Sequence, residues 1–463
     1  MRIGEDRMKL REYLSSIQDK TVAVIGVGVS NTPLLELLLD AGISVTACDK
    51  RDRSAFGELA DHLEGRGCRL QLGEEYLDHL TQDIIFRTPG FHPKYLEEAR
   101  RRGSEITSEM EVFFKVCPCP ILAVTGSDGK TTTTTIIAKL LEAAGKTVHV
   151  GGNIGHPLLA EADAMQPEDW AVLELSSFQL MTMDRSPHIA VLTNVAPNHL
   201  DVHTDMAEYI AAKEAIFAYQ GAEDLLVCNW DNEIARTSSK KAAGKVKYFT
   251  RKEEPERGTF LRDGAIWGRN EEGERQVLPL DGIRLPGVHN VENYMAAIAA
   301  VDGLVPDQVI RDFAKEFGGV EHRIEFVREL RGVKWYNDAI ASSPSRTIAC
   351  LNAFDQKIIL LAGGKDKGIS YAPLGPVVND HVKELILCGA TAKVIREAVE
   401  QAENYRGLPI TEVSSWKQAV ELAASHAAAG DVVVMSPAST SFDMFRNFME
   451  KGKVYKELVH QLV

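Results

Sequence analysis

A chain of 463 residues with 44% hydrophobic composition exceeds what one core organises, so two to four domains are expected and three fit best. A formal net charge of -14 excludes a broad nucleic-acid or anionic-membrane surface, since both need a basic face; local cationic sites remain compatible with it. There is no run of about 18 apolar residues, and the N-terminus, MRIGEDRMKLREYL, is charged where a signal peptide would be apolar, so a cytoplasmic protein is expected.

The chain starts three times in the same way: a short β-branched run, a glycine-rich turn, then a helical pattern. The first start is TVAVIGVGVSN, Thr21 to Asn31, followed by PLLELLLDAG and the strand ISVTACD that ends at Asp49. Its turn, Gly26-Val27-Gly28-Val29-Ser30-Asn31, resembles a dinucleotide fingerprint, but Asn31 stands where a third glycine would allow close helix packing, so it is weak support for NAD.

The second start, PILAVTGSDGKTTTT from Pro120 to Thr134, follows a hinge-like Cys117-Pro-Cys-Pro120 segment. Cys117 and Cys119 are too little for a zinc site, and the seven scattered cysteines read as buried thiols. Gly126, Ser127, Asp128, Gly129, Lys130, Thr131 and Thr132 lie between an apolar strand and a helix, where backbone N-H groups and the helix dipole converge on a polyphosphate. Lys130 is expected to reach the transferred phosphate of ATP, and the Thr131 hydroxyl to ligate magnesium. The loop is shorter than the standard one, with only Ser127 and Asp128 between its glycines. The bland reading, a glycine-rich turn, leaves the lysine and the threonines without a purpose.

Downstream, WAVLELSSFQL sets Glu174 at a strand end, where a carboxylate suits a cation. The next strand, IAVLTNVAPNHLDVH, ends in Asn194, then His199, Asp201 and His203, which could hold a second metal or merely hydrogen-bond the loop. From Lys240 to Gln276 the chain is charged and glycine-punctuated, as in solvent-facing hairpins. An irregular stretch from Phe317 to Arg323 reads as a linker to the third start, KIILLAGGKDKG at Lys357 to Gly368. The division expected is 1–117, 118–317 and 318–463.

In this order GSDGKTTTT, LELSSFQL, NVAPNHLDVH, EYIAAKEAIF, LPGVHNVENYMAA and EHRIEF resemble the Mur ligase family, nearly end to end. The resemblance implies an α/β fold of three domains: a Rossmann-like UDP-binding domain, a central P-loop ATPase-like domain and a C-terminal Rossmann-like domain. It implies a reaction in which ATP phosphorylates a carboxylate, and an amine then attacks the acyl phosphate. Lys130, Glu174, His199 and Lys213 are the implied catalytic residues. Lys213, otherwise a solvated helix residue, would be a carbamate that shares magnesium with Thr131, Glu174 and His199. Asn290 and Arg323 would contact the nucleotide and Asp338 its ribose; their bland readings are a helix cap, a surface ion pair and a turn.

For UDP-N-acetylmuramoyl-L-alanine the resemblance implies contacts from Gly28, Val29, Ser30, Asn31, Asp49, Lys50, Arg51 and Gly90, with Asn153 or His92 at the sugar or phosphate. Folylpolyglutamate synthases start directly with the ATP domain, and the residues before Pro120 argue against them. At the C-terminus, SPASTSFDMFRNF, Ser436 to Phe448, is similar to the member that adds D-glutamate, and the DNPR signature of the diaminopimelate- or lysine-adding member does not occur. Ser342, Lys365, Ser441, Phe442 and Phe448 would hold D-glutamate. Ser342 and Asn198 replace the family's more frequent threonine and aspartate. A monomer without nucleic-acid or membrane partners is expected. The competing readings are an L-alanine-adding ligase, a nucleotide sensor and an oxidoreductase, the last of which leaves Lys130 and Glu174 unexplained.

Overall fold

The computed structural model describes residues 8–28, 31–198, 202–366 and 368–463. The chain is α/β, and each of its three domains is built on its own sheet. Strands Thr21–Ile25 (β1), Ser44–Asp49 (β2), Arg69–Leu72 (β3), Ile84–Arg87 (β4) and Glu105–Thr107 (β5) form a parallel sheet in the order β3-β2-β1-β4-β5. β1 is buried along nearly its whole length, as expected of a parallel strand with helices on both faces.

The second sheet contains Ile121–Thr125 (β6), Val148–Gly152 (β7), Trp170–Glu174 (β8), Ile189–Leu192 (β9), Leu225–Asn229 (β10), Lys245–Thr250 (β11), Gly258–Arg262 (β12), Ala265–Asn270 (β13) and Gly273–Pro279 (β14). Their order is β14-β13-β12-β11-β10-β9-β6-β8-β7, so β6 runs between β8 and β9 and the chain leaves it in opposite directions. Such a switch point opens a crevice at the carboxyl strand ends. The expected hairpins exist as β12-β13-β14, and they extend this sheet as antiparallel strands.

The third sheet contains Glu325–Leu330 (β15), Val333–Asn337 (β16), Ile358–Ala362 (β17), Val382–Cys388 (β18), Ile410–Val413 (β19) and Val432–Met435 (β20), in the order β15-β16-β20-β17-β18-β19. Only β15 runs antiparallel to its neighbour.

By packing, the chain forms two compact units, Met1–Leu280 with Glu292–Arg311, and Asp281–Val291 with Asp312–Val463. The first unit holds the first two sheets. One apolar core joins them, from Val24 and Phe86 through Phe113 to Leu173 and Leu192. Cys117 and Cys119 lie inside that core with their Sγ atoms 3.6 Å apart, so the segment expected to be hinge-like is a packed connector. All seven cysteines are buried and unbridged. Among the described residues, no helix is long and apolar enough to cross a membrane.

Candidate functional site

The phosphate loop leaves β6 at Gly126 and enters the helix Lys130–Ala143 through Gly129, whose φ of 79° lies in the left-handed region. Both glycines are sterically required. A Cβ on Gly126 would lie 1.8 Å from Thr193 Oγ1, and one on Gly129 2.5 Å from Asn293 Oδ1. Residues just past β9 brace the loop. The Ser127 and Asp128 amides donate to the Asn194 carbonyl and side chain, and Thr193 Oγ1 donates to Asp128 O at 2.6 Å. The first turn of the helix therefore presents its N-H groups from a fixed position, as anion binding requires. A small cleft lined by Thr193, Asn194, Phe249 and Asn293 opens beside it.

Two lysines converge on one carbonyl. Lys130 Nζ donates to Gly126 O and Ser127 O, both at 2.9 Å, and Lys213 Nζ donates to the same Gly126 O at 2.7 Å. Lys213 comes from the middle of the helix Met206–Ala218, is 2% exposed, and packs over the Tyr209 ring. It is thus not the solvated helix residue that the sequence alone suggests. Burial first, and the Lys130 charge second, push its amine from 10.5 down to about 7. Tyr209 OH in turn meets Ser127 Oγ at 2.9 Å, which locks the lysine's helix to the loop.

Glu174, the last residue of β8, is 1% exposed. Its Oε1 accepts from Asn153 Nδ2 at 2.6 Å, while its buried Oε2 has no hydrogen-bond partner among the described residues. Asn153, expected at the sugar or phosphate of the UDP-substrate, thus lies beside Glu174. His199 and Asp201 lie outside the described residues. His203 is buried, with Nε2 on Ser177 Oγ at 2.9 Å and its ring stacked on Phe178, both on the short helix Ser177–Leu180. Among the described residues, no three His, Cys, Asp or Glu side chains form a metal-binding group.

In the first sheet, Asn31 Nδ2 donates to Ile25 O and Gly26 O, so the residue in the third-glycine position closes the turn after β1. Asp49 ends β2, accepts from the Val27 amide at 2.8 Å, and pairs with Arg51. These bonds outweigh its partial burial and hold its carboxyl below the usual range. Arg51 lies over Phe56, and Gly28, Lys50 and Gly90 are exposed around this strand edge. Val29 and Ser30 lie outside the described residues. His92 is buried, and its Nε2 faces Glu208 at 3.3 Å.

The second compact unit holds the remaining candidates. Asn290 Nδ2 donates to Pro286 O, and Arg323 is half-buried beside β15. Asp338 follows β16 with its carboxylate inside the fold, accepting from Ser436 Oγ at 2.7 Å and from the Ile324 amide, and burial pushes it up to about 6. Lys365 and Thr440 exchange backbone hydrogen bonds, so the loop after β17 lies against the SPASTS segment, with the Lys365 side chain exposed. That bridge brings Lys365 alongside Ser441, whose Oγ is buried with no partner among the described residues, and Phe442, which is 62% exposed. Phe448 opens the C-terminal helix, edge-on to His322, and Ser342 is half-buried after β16.

Sequence reasoning missed Thr193 and Asn293 as braces of the glycines, and Tyr209 as the link from loop to Lys213. The Thr-Asn pair just past a strand and the second asparagine of HNVEN were visible, but nothing local says what they face.

Residues 124–301 match the Mur ligase middle domain, and residues 322–439 the Mur ligase, glutamate ligase domain. A UDP-N-acetylmuramoylalanine--D-glutamate ligase of Acetivibrio thermocellus is 51% identical over 98% of this chain and 99% of its own length. The protein of that name from Ruminiclostridium cellulolyticum is 48% identical over 98% and 99%. Among solved structures, the UDP-N-acetylmuramate-alanine ligase of Thermotoga maritima superposes with a TM-score of 0.57 at 18% identity, covering 95% of this chain and 98% of its own. A UDP-N-acetylmuramoyl-L-alanyl-D-glutamate--2,6-diaminopimelate ligase gives 0.56 at 19% identity, covering 96% and 93%. At such low identity these two establish the fold. Full-length identity to curated relatives goes further: the chain belongs to the Mur ligase family.

Proposed function

We propose that this chain is an ATP-dependent ligase that adds D-glutamate to UDP-N-acetylmuramoyl-L-alanine in peptidoglycan-precursor synthesis, acting as a cytoplasmic monomer. The observation that carries the substrate assignment is the 51% identity, over 98% of the chain, to a relative named for that reaction. The proposed domains are 1–117 for the UDP-substrate, 118–317 for ATP and 318–463 for the amino acid.

The chemistry follows from the residues. A carboxylate oxygen of the muramoyl-alanine attacks the γ-phosphorus and ADP leaves; the D-glutamate nitrogen then attacks the acyl carbon, loses a proton, and phosphate leaves. Lys130 and the amides from Gly126 to Thr132 would hold the charge that develops on the phosphoryl oxygens. On the family resemblance, Asn290 and Arg323 would contact the nucleotide and Asp338 its ribose.

Thr131, Glu174, His199 and Lys213 as a carbamate would hold magnesium, which would supply charge neutralisation at the phosphoryl oxygens. Two observations fit: the buried, unpartnered Glu174 Oε2, and an amine at Lys213 neutral enough to add carbon dioxide, forming an N-C bond with release of a proton. Gly28, Val29, Ser30, Asn31, Asp49, Lys50, Arg51 and Gly90 would bind the UDP moiety, with Asn153 at the sugar or phosphate. Ser342, Lys365, Ser441, Phe442 and Phe448 would bind D-glutamate. Ser441 Oγ suits a substrate carboxylate, because it is a buried donor with no partner among the described residues.

The test is phosphate release from ATP with UDP-N-acetylmuramoyl-L-alanine present, comparing D-glutamate, L-glutamate, L-alanine and no amino acid, with Lys130→Ala as control. Release that needs D-glutamate and Lys130 is expected. Release driven by another amino acid would overturn the assignment of the C-terminal pocket.

A further inference from the structure

The last residue of β4, Arg87, is a fully internal cation, 1% exposed. Its two terminal nitrogens grip different parts of the chain. One donates to the carbonyls of Pro89 and Phe91, at 3.2 and 3.3 Å, in the Thr88-Pro-Gly turn that follows the strand. The other donates to the Phe178 carbonyl at 2.8 Å and Thr182 Oγ1 at 2.6 Å, in the segment that follows Glu174 and whose Phe178 ring stacks on His203. Thr88 in turn packs within 3.1 Å of where a Cβ on Gly26 would sit, so the same turn lines the strand edge that carries Gly28 and Asp49.

We propose that Arg87 is a positioning residue that fixes the 88–91 turn against the segment after Glu174, and so sets the UDP-substrate's carboxylate relative to the phosphate loop. This rests on the reading above that the 88–91 turn takes the UDP-substrate. A guanidinium suits the task because its donors form a rigid fork that spans two segments at once, which a single ammonium cannot do. A merely apolar contact could join the two sheets as well. Burying a cation against neutral carbonyls is costly, and removing such a group leaves carbonyls unpaired. Its nearby countercharge is Glu111, buried on the helix Glu109–Val116 with Oε2 unpartnered among the described residues; burial raises that carboxyl, and Ser108, Arg87 and Thr182 oppose the rise.

The test compares wild type, Arg87→Lys, Thr182→Val, Thr182→Ser and the double variant Arg87→Lys/Thr182→Val, by calorimetric binding of UDP-N-acetylmuramoyl-L-alanine and by steady-state kinetics. Arg87→Lys is expected to raise the KM and Kd for the UDP-substrate about tenfold, with the KM values for ATP and D-glutamate within about twofold, the size of one or two lost charge-assisted hydrogen bonds. Thr182→Val, which deletes the hydroxyl that accepts from Arg87 and also meets Glu111, should weaken the same substrate about threefold. It should add nothing in the double variant, and Thr182→Ser should restore binding.

Equal rises in all three KM values, or additive effects in the double variant, would reduce Arg87 to a structural staple and overturn the inference. If Arg87→Lys yields no folded protein, the Thr182 pair decides. Wild type that fails to bind the UDP-substrate overturns the functional reading and this inference together; wild type that binds beside variants with unchanged Kd overturns the inference alone.

Discussion

Replacing Lys213 by methionine keeps the stem and deletes the ammonium. With the amine moved from 10.5 to about 7, roughly half of the native molecules carry the charge at pH 7, whereas the unfolded chain carries almost all of it. The unfolded state therefore binds more protons between these two values, so wild-type stability rises with pH across that window and a penalty remains below it. Relative to a fully neutral amine, that penalty is about 4 kcal/mol at pH 7 and about 2 kcal/mol at pH 9. Deleting the hydrogen bond to Gly126 O returns about 1 kcal/mol of the gain. In buffer depleted of carbon dioxide, Lys213→Met should thus be more stable than wild type by about 3 kcal/mol at pH 7 and about 1 kcal/mol at pH 9, while ligase activity falls at least about 100-fold. Urea unfolding at the two pH values measures it. A stability difference that does not change with pH would refute the argument. Added bicarbonate should stabilise wild type and leave the variant unmoved if the carbamate forms.

Gly126→Ala forces a Cβ onto Thr193 Oγ1, which holds both Thr125 O and Asp128 O, so kcat/KM for ATP should fall about 100-fold, with the UDP-substrate's Kd unchanged by calorimetry. Burial raises the Glu109 carboxyl from 4.5 to about 7, so the native state holds the extra proton, and stability present below pH 4.5 is lost as pH rises through that window. Glu109→Gln should be more stable than wild type by about 3 kcal/mol at pH 8 and equal to it at pH 4, read by thermal unfolding at both. Ser441→Ala removes a hydroxyl that has no hydrogen-bond partner among the described residues, so it should leave the unfolding midpoint unchanged while raising the KM for D-glutamate about tenfold. A fall in the midpoint, or an unchanged KM, would count against a substrate role for that hydroxyl.

The strand-loop-helix starts, the glycine and lysine of the phosphate loop, and Glu174 at a strand end are legible in the sequence. Each of these is a local pattern: alternation and burial set the strands, and a positive φ or a close approach demands the glycines. The pairings between residues far apart in the chain come from the fold. Asn153 reads as a loop residue until β7 pairs with β8 and sets its side chain on Glu174. Asn31 looks like a broken fingerprint until its amide is seen closing its own turn. Arg87 ends an internal strand of the first sheet, and it is buried by bonds to Phe178 and Thr182, about 90 residues later in the chain. Lys213 shows the reason most directly. A helix pattern specifies which face is covered, but the proton affinity of a lysine depends on what covers it. Here that cover is the phosphate loop, whose own lysine begins 83 residues earlier in the chain, at Lys130, and shares the Gly126 carbonyl.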